Sequence, residues 1–273
     1  MNLLGIDFED WYHPQLIEPF VPKKNKIPTM HKGLDKILEL LRKNNTKATF
    51  FLVGELVESN PDIVDKILES EHEIGFHTMK HNRLDSPNFR STFKQELNQF
   101  DKLVSGKCIG FRAPTFSLNK TSSWLIDELV SHNYKYDSSI IPAKTNLYGL
   151  QSAPQTPYGI DSRLDVDEPT SNLIEFPLLV TKILGKTFPA AGGFYLRTLP
   201  LKIIKNAVKS YEKKSIPASF YIHSWELTPE FIPEIKLPLK NKFVSFFKIK
   251  NTFSKMNKLL EEFEFTSFKS YLK

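Results

Sequence analysis

Cysteine is almost absent from this chain of 273 residues, because Cys108 is its only one. A single cysteine excludes an intrachain disulfide and any zinc cluster built on several thiolates. Cys108 stands in an apolar run just before Gly110, so we interpret it as a buried, inert thiol and not as a nucleophile.

Long apolar runs are also lacking. No window approaches the ~18 consecutive apolar residues of a membrane-spanning helix. The first residues, MNLLGID, carry no basic segment, and their apolar stretch is too short for a signal peptide. We therefore expect a cytoplasmic protein without a transmembrane segment.

Acidic residues are outnumbered by basic ones, which gives a net charge of +6 and a pI of about 9.1. Such a balance favours contact with an acidic polymer or an anionic membrane surface. The lysines are spread along the chain and do not form the clustered patch of a nucleic-acid site. We interpret them mainly as a solvated surface and expect no nucleic-acid partner.

Apolar strand-like runs alternate with segments of helical periodicity over most of the chain. The predicted strands are residues 2–6, 48–53, 73–77, 108–112, 134–137, 173–180 and 218–223. The predicted helices are residues 29–43, 60–70, 88–104, 124–131, 199–213 and 252–263. This alternation predicts an α/β fold with a parallel sheet, either open or closed into a barrel.

The organisation predicted is a single domain over residues 1–273 with two irregular regions. Residues 141–172 hold four prolines and little periodicity, so they form an irregular insertion. Residues 228–273 form a basic, aromatic extension, in which the apolar stripe of the 252–263 helix is predicted to dock on the core.

Polar residues end several of the predicted strands, where parallel α/β folds bind ligands. Asp7, Glu9 and Asp10 follow the first strand directly. His77 and His81 have a spacing of four, so a helical turn would let both imidazoles bind one divalent ion.

Three further strand ends carry candidate catalytic groups. Arg112 could orient a carboxylate. His223 becomes a candidate general acid if it faces the same mouth as the metal, and Asp137 could hold its ring in the required tautomer.

Taken in order, the motifs resemble those of the NodB-homology polysaccharide deacetylases, in the branch found in exopolysaccharide gene clusters. The matching segments are DFEDWY (7–12), TKATFF (46–51), EIGFHTMKH (73–81), RAP (112–114), YDSS (136–139), AGGFYLR (191–197) and YIHSWE (221–226). The match covers nearly the whole chain, and the ordered set is specific although each piece alone is not.

The resemblance implies a distorted (β/α) barrel of about seven strands that removes N-acetyl groups from an amino-sugar polysaccharide or its precursor. It implies a divalent metal, commonly Zn²⁺, with Co²⁺, Ni²⁺ and Fe²⁺ also suited to such ligands. It also implies a role for Thr78, which would brace the metal loop by hydrogen bonding, and peripheral association with a polysaccharide assembly system.

The direct transfer of roles makes Glu9 the base, oriented by Arg112, and gives the metal to Asp10, His77 and His81. His223 becomes the general acid, tuned by Asp137. Strand alternation leaves a second assignment open, because it places Asp7 and Glu9 on one face and Asp10 on the other. In that case Asp7 is the base and Glu9 the ligand.

Aromatic residues and a proline flank these segments and are predicted to contact the sugar: Trp11, Tyr12, Pro114 and Trp225. Two other functions fit the same residues less well. One is hydrolysis of a small cyclic amide, and the other is sugar binding without catalysis in an assembly complex.

Overall fold

The computed structural model describes residues 1–145, 148–164 and 170–272. Its strands are β1 Asn2–Phe8, β2 Thr49–Leu52, β3 Glu73–Phe76, β4 Gly110–Phe111, β5 Tyr136–Asp137, β6 Tyr158–Gly159, β7 Ile174–Glu175, β8 Val180–Ile183, β9 Lys186–Pro189, β10 Ser219–His223 and β11 Phe265–Thr266. Its α-helices are α1 Leu34–Lys43, α2 Gly54–Ser59, α3 Asp62–Glu69, α4 Phe89–Leu103, α5 Trp124–Ser131, α6 Gly193–Thr198, α7 Leu201–Glu212, α8 Ser224–Leu227, α9 Leu239–Phe246, α10 Thr252–Leu260 and α11 Phe268–Tyr271.

A curled, largely parallel sheet forms the centre of the molecule. Its order is β10-β1-β2-β3-β4-β5-β7, with β6 antiparallel at the edge of β7 and β11 beside the start of β1. Just after β7, Leu178 forms a parallel bridge with Ser219 of β10, which joins the two ends of the path. The described strands therefore confirm the predicted distorted (β/α) barrel of about seven strands.

The strands are buried because helices cover the outer face of the sheet. Every residue of β1, β2 and β3 is buried, as expected for parallel strands covered on both faces. Helix α1 shows the matching pattern, with Ile37 and Leu41 on the face that packs against the sheet.

The inner face of the barrel is closed at one end by the residues after β11. Phe268 is fully buried and its ring stacks on Tyr136 at 5.5 Å, with Phe51 and Phe176 in edge contact. The amide of Phe268 donates to Oγ1 of Thr49, and that of Lys269 donates to Glu73. The C-terminal region thus supplies part of the core, and the buried Met256, Leu259 and Leu260 confirm the docking face predicted for the 252–263 helix.

Several elements were not predicted. The β8–β9 hairpin and the short helices α6 and α9 have no long apolar period, and neighbouring segments hold them in place. Part of the predicted insertion at 141–172 lies outside the described residues, and its described part contributes β6. No helix among the described residues is long and apolar enough to cross a membrane.

Replacing Phe268 with Ala should lower the free energy of unfolding by about 3–5 kcal/mol, because it leaves a cavity between three aromatic rings. Denaturant unfolding measures this change. Tyr271→Ala is the matched control, since that residue is 45% exposed, and it should cost about 1 kcal/mol or less. Equal losses in both variants would contradict the role given to Phe268.

Candidate active site

The carboxyl ends of β1, β3, β4 and β10 meet around one pocket. Its wall includes six of the predicted site residues: Asp7, Glu9, His77, His81, His223 and Trp225. The remaining lining residues are Pro14, Gln15, Leu16, Thr115, Phe116, Tyr148, Phe194, Arg197, Tyr221, Val244 and Ser245. The rule that strand ends carry the chemistry therefore holds for this chain.

A carboxylate and two imidazoles form the polar centre of the pocket. One donor atom from each of Glu9, His77 and His81 lies within 4.8 Å of the other two. Nε2 of His81 is 2.6 Å from Oε2 of Glu9. Glu9 and His77 are about 1% exposed, so the group is shielded from bulk water.

The tautomers of both histidines suit metal binding. Nδ1 of His77 donates to the carbonyl oxygen of Arg112 at 2.7 Å, and Nδ1 of His81 donates to that of His13 at 3.1 Å. A carbonyl oxygen can only accept, so Nε2 of each neutral ring presents a lone pair. Nε2 of His81 lies 2.6 Å from a carboxylate oxygen of Glu9, a contact that requires either a proton or a metal cation between the two atoms.

The protonation states of His77 and Glu9 also suit metal binding. Burial, with a smaller effect of His81, lowers the pKa of His77 to about 4, so the ring is neutral at pH 7. Burial acts to raise the pKa of Glu9, but the imidazoles of His81, His223 and His77 outweigh it and hold that pKa below its usual range. Neutral imidazoles and an ionised carboxylate are the forms that bind a divalent ion.

The two histidines converge through a loop and not through the helical turn that their spacing suggested. Thr78 and His81 have φ angles of 61° and 55°, which turn the chain sharply between the two rings. The carbonyl oxygen of Thr78 accepts from the amide of Gly54 at 3.0 Å. Its hydroxyl has no hydrogen-bond partner among the described residues, so the bracing predicted for Thr78 comes from its main chain.

Asp7 is held by a fully buried arginine. Nη1 of Arg112 donates to Oδ1 of Asp7 at 2.8 Å, while Nε and Nη2 donate to the carbonyl and hydroxyl oxygens of Ser138. The guanidinium lies 4.1 Å from the ring centre of Phe51. It occupies the space above Gly5, where an added Cβ would lie 2.3 Å from Nη1. Arg112 therefore orients a carboxylate as predicted, and that carboxylate is Asp7.

His223 belongs to a buried chain of charged groups. Its Nδ1 lies 2.6 Å from Oε2 of Glu226, and Oε1 of Glu226 accepts from Nε of Arg197 at 2.7 Å. Burial alone would lower the pKa of His223, but the charge and hydrogen bond of Glu226 raise it to about 9. His223 is thus a cation at neutral pH, with Nε2 3.8 Å from Glu9.

Asp10 has a structural position. Its carboxylate accepts hydrogen bonds from the amides of Trp11, Thr29 and Met30 and lies outside the group of three metal donors. Burial raises its pKa. The geometry therefore favours the second assignment, with Glu9 beside the histidines and Asp7 beside Arg112, and disfavours Asp10 as a ligand. Because β1 runs to Phe8, alternation places Asp7 and Glu9 on the pocket side.

Asp137 is not the partner of His223 in this structure. Its Oδ1 accepts from the hydroxyl of Ser139, and its neighbour in the sheet is Glu175 of β7. Burial raises the pKa of both carboxyl groups, more strongly at Glu175. The carboxylate expected at His223 is supplied by Glu226, three residues further along the same segment.

The predicted sugar-contacting residues are buried, and only one of them lines the pocket. Trp225 stacks on His223 at 4.9 Å and donates its indole N–H to Oε1 of Glu9. Trp11 and Tyr12 pack in the same apolar cluster as Trp225 but do not line the pocket, and Pro114 is buried just after β4. The pocket aromatics that the sequence did not single out are Phe116, Tyr148, Phe194 and Tyr221.

Two family models match adjacent parts of the chain. Residues 25–136 match the polysaccharide deacetylase family, and residues 138–273 match a domain of unknown function, DUF3473. The boundary falls within the curled sheet, at Asp137 of β5. The second region contributes His223 and Arg197 to the pocket, so it forms part of the same site.

Relatives of known name match parts of the chain. A peptidoglycan-N-acetylglucosamine deacetylase of Bacillus cereus is 48% identical over 68 residues, which are 22% of this chain and 32% of the relative. A deacetylase of the same name from Listeria monocytogenes is 27% identical over 172 residues, or 58% of this chain and 35% of the relative. The chain thus spans about a third of the length of these relatives.

A solved structure from Mycobacterium smegmatis, described as a polysaccharide deacetylase, covers 99% of this chain and 89% of its own, with a TM-score of 0.62 and 14% sequence identity. At that identity the likeness supports the barrel fold. The family match covers residues 25–136, so this region of the chain is a polysaccharide deacetylase region.

Proposed function

We propose that this chain is a metal-dependent N-deacetylase of a glycan that contains N-acetylated amino sugars. The observation that carries the proposal is the meeting of three kinds of group in one pocket. They are the Glu9, His77 and His81 donors, the carboxylate of Asp7 held by Arg112, and the cationic ring of His223. The names of the curated relatives support an N-acetylglucosamine substrate.

The metal ligands proposed are Glu9, His77 and His81. Zinc is the ion that we propose, and Co²⁺, Ni²⁺ and Fe²⁺ suit the same donor set. When bound, such an ion supplies polarisation of the acetyl carbonyl group and a more acidic water. Two imidazoles and one carboxylate leave coordination positions open for both.

Asp7 is the proposed general base. The ion pair with Arg112 fixes one of its carboxylate oxygens in a buried setting. It lines the pocket together with Glu9, so it can accept the proton of a water that attacks the acetyl carbon. Proton transfer to a positioned base of this kind contributes about 10²–10⁴ in rate.

His223 is the proposed general acid. Its Nδ1 is bound to Glu226, so the proton on Nε2 is the one available to the departing amine nitrogen. An amine is a poor leaving group unless it is protonated, and the raised pKa of His223 keeps the proton in place at pH 7. Glu226 and Arg197 act through this ring as positioning residues.

Removing the metal should abolish acetate release from N-acetylglucosamine oligomers, and Zn²⁺ should restore it. The measurement compares chelator-treated and zinc-restored protein on the same substrates, with bound metal counted in each sample. His77→Ala should lose tight metal binding as well as activity, because it removes one of three donors. Undiminished release by fully stripped protein would refute the metal requirement.

The roles of the three carboxylates can be separated by isosteric variants. Asp7→Asn should reduce kcat about 100-fold or more while the zinc content stays at wild-type level. Glu9→Gln should weaken zinc binding at least about 10-fold. Asp10→Asn should keep both zinc and activity, with a loss of stability.

Zinc titration and kinetics on folded protein decide between the two assignments. Loss of zinc in Asp10→Asn, with zinc retained in Glu9→Gln, would restore the direct transfer of roles from the family.

The general acid can be tested through the leaving group. His223→Ala and Glu226→Gln should reduce N-acetyl hydrolysis about 100-fold or more. Hydrolysis of an aryl acetate should fall much less, because a phenolate departs without prior protonation. Glu230→Gln is the matched control at an exposed glutamate outside the pocket. Equal losses on both substrates would argue against acid catalysis by His223.

The cytoplasmic location, the single-domain organisation and the link to a polysaccharide assembly system stay predictions.

A further inference from the structure

Positive charge is concentrated in one stretch of the chain beside the pocket. Residues 235–260 hold seven lysines and no aspartate, glutamate or arginine. The net charge of this stretch is therefore larger than the net charge of +6 of the whole chain. The lysines of this stretch are therefore clustered, and the interpretation that lysine is spread along the chain does not hold for these residues. Lys236, Lys240, Lys242, Lys248 and Lys250 are exposed and form no ion pair with the described residues.

Helix α9 lies within this stretch and has an unusual outer face. Leu239 is 87% exposed and Phe243 is 50% exposed, and their spacing of four places them on one stripe. Lys240 and Lys242 flank this stripe at helical spacing. The opposite face is turned inward, where Ser245 is buried and Asn241 donates to the carbonyl oxygen of Leu16.

The same helix forms part of the wall of the active-site pocket. Val244 and Ser245 line that pocket, and Arg197 binds the carbonyl oxygens of Val244 and Phe247. Phe243 contacts Phe194, another lining residue, with ring centres 6.2 Å apart. The exposed apolar stripe is therefore adjacent to the place where a substrate enters.

From this arrangement we propose that the outer face of α9 docks on an anionic phospholipid surface. Exposed Leu and Phe side chains between lysines are the pattern of an interfacial helix, in which apolar groups enter the lipid and lysines contact the headgroups. The two exposed apolar side chains favour a lipid surface over a soluble anionic polymer, because binding to a soluble polymer would require only the lysine charges. Given the proposed deacetylase function, the substrate is then a glycan attached to a membrane.

Sedimentation with vesicles tests the docking directly. The intact chain is mixed with phosphatidylcholine vesicles that do or do not contain phosphatidylglycerol, at about 0.1 M salt. We expect binding to the anionic vesicles only, and weaker binding as the salt concentration rises. K240E/K242E should bind about 25-fold more weakly or worse, as expected for two lysines that contribute about 1 kcal/mol each.

Two further variants separate the apolar contribution from charge alone. L239S/F243S keeps every charge and should also lose vesicle binding. K213E/K214E makes the same change of charge after α7, on exposed lysines at the end of the barrel where β10 begins, and should bind like the unmodified chain. The two lysine variants change exposed residues that do not line the pocket, so their acetate release from soluble oligomers should be unchanged.

Absence of binding to anionic vesicles, or equal binding by K240E/K242E, would overturn the proposal. Lysine-dependent binding to soluble dextran sulfate without binding to vesicles would also overturn it, in favour of an anionic polymer. The assay requires no catalysis. Vesicle binding without acetate release from any glycan would therefore reject the proposed deacetylase function and leave the docking surface in place.

Discussion

The buried guanidinium of Arg112 is the group on which the site depends. It could not lie inside the barrel if residue 5 had a side chain, and it needs the carboxylate of Asp7 and the oxygens of Ser138 to compensate for its lost hydration. The carbonyl oxygen of the same residue fixes the tautomer of His77. One residue thus connects β1, β3, β4 and the chain after β5, and it orients both a candidate base and a candidate ligand.

The pocket is assembled from both family regions, and each supplies a different part of the chemistry. The two histidines and Arg112 come from the polysaccharide deacetylase region, whereas His223, Glu226 and Arg197 come from the region named only as DUF3473. Arg197 also binds the main chain at Val244 and Phe247. The second region contributes a wall of the pocket, the barrel strands β7 and β10, and the buried ring of Phe268.

The barrel fold and most residues of the pocket centre could be predicted from the sequence, because apolar strands that end in polar residues mark the ligand-binding edge of a parallel sheet. That reasoning located Asp7, Glu9, His77, Arg112 and His223. It could not choose between Glu9 and Asp10, since the choice depends on amides of Thr29 and Met30, some twenty residues away in the chain. It missed Glu226 because a carboxylate after a tryptophan has no distinctive spacing, and only the turn into α8 brings it to His223.

The position of β1 in the sheet has a consequence for biosynthesis. This strand is made before the other strands of the sheet, yet its hydrogen-bonding partners in β10 and β11 are made more than 200 residues later. Until then an apolar segment emerges from the ribosome without a completed sheet to enter. Bringing together two strands that are so far apart in the chain slows folding and prolongs the exposure of aggregation-prone strands. The sheet is therefore expected to close only after β10 has been made, and the chain is expected to benefit from chaperones that hold nascent polypeptides.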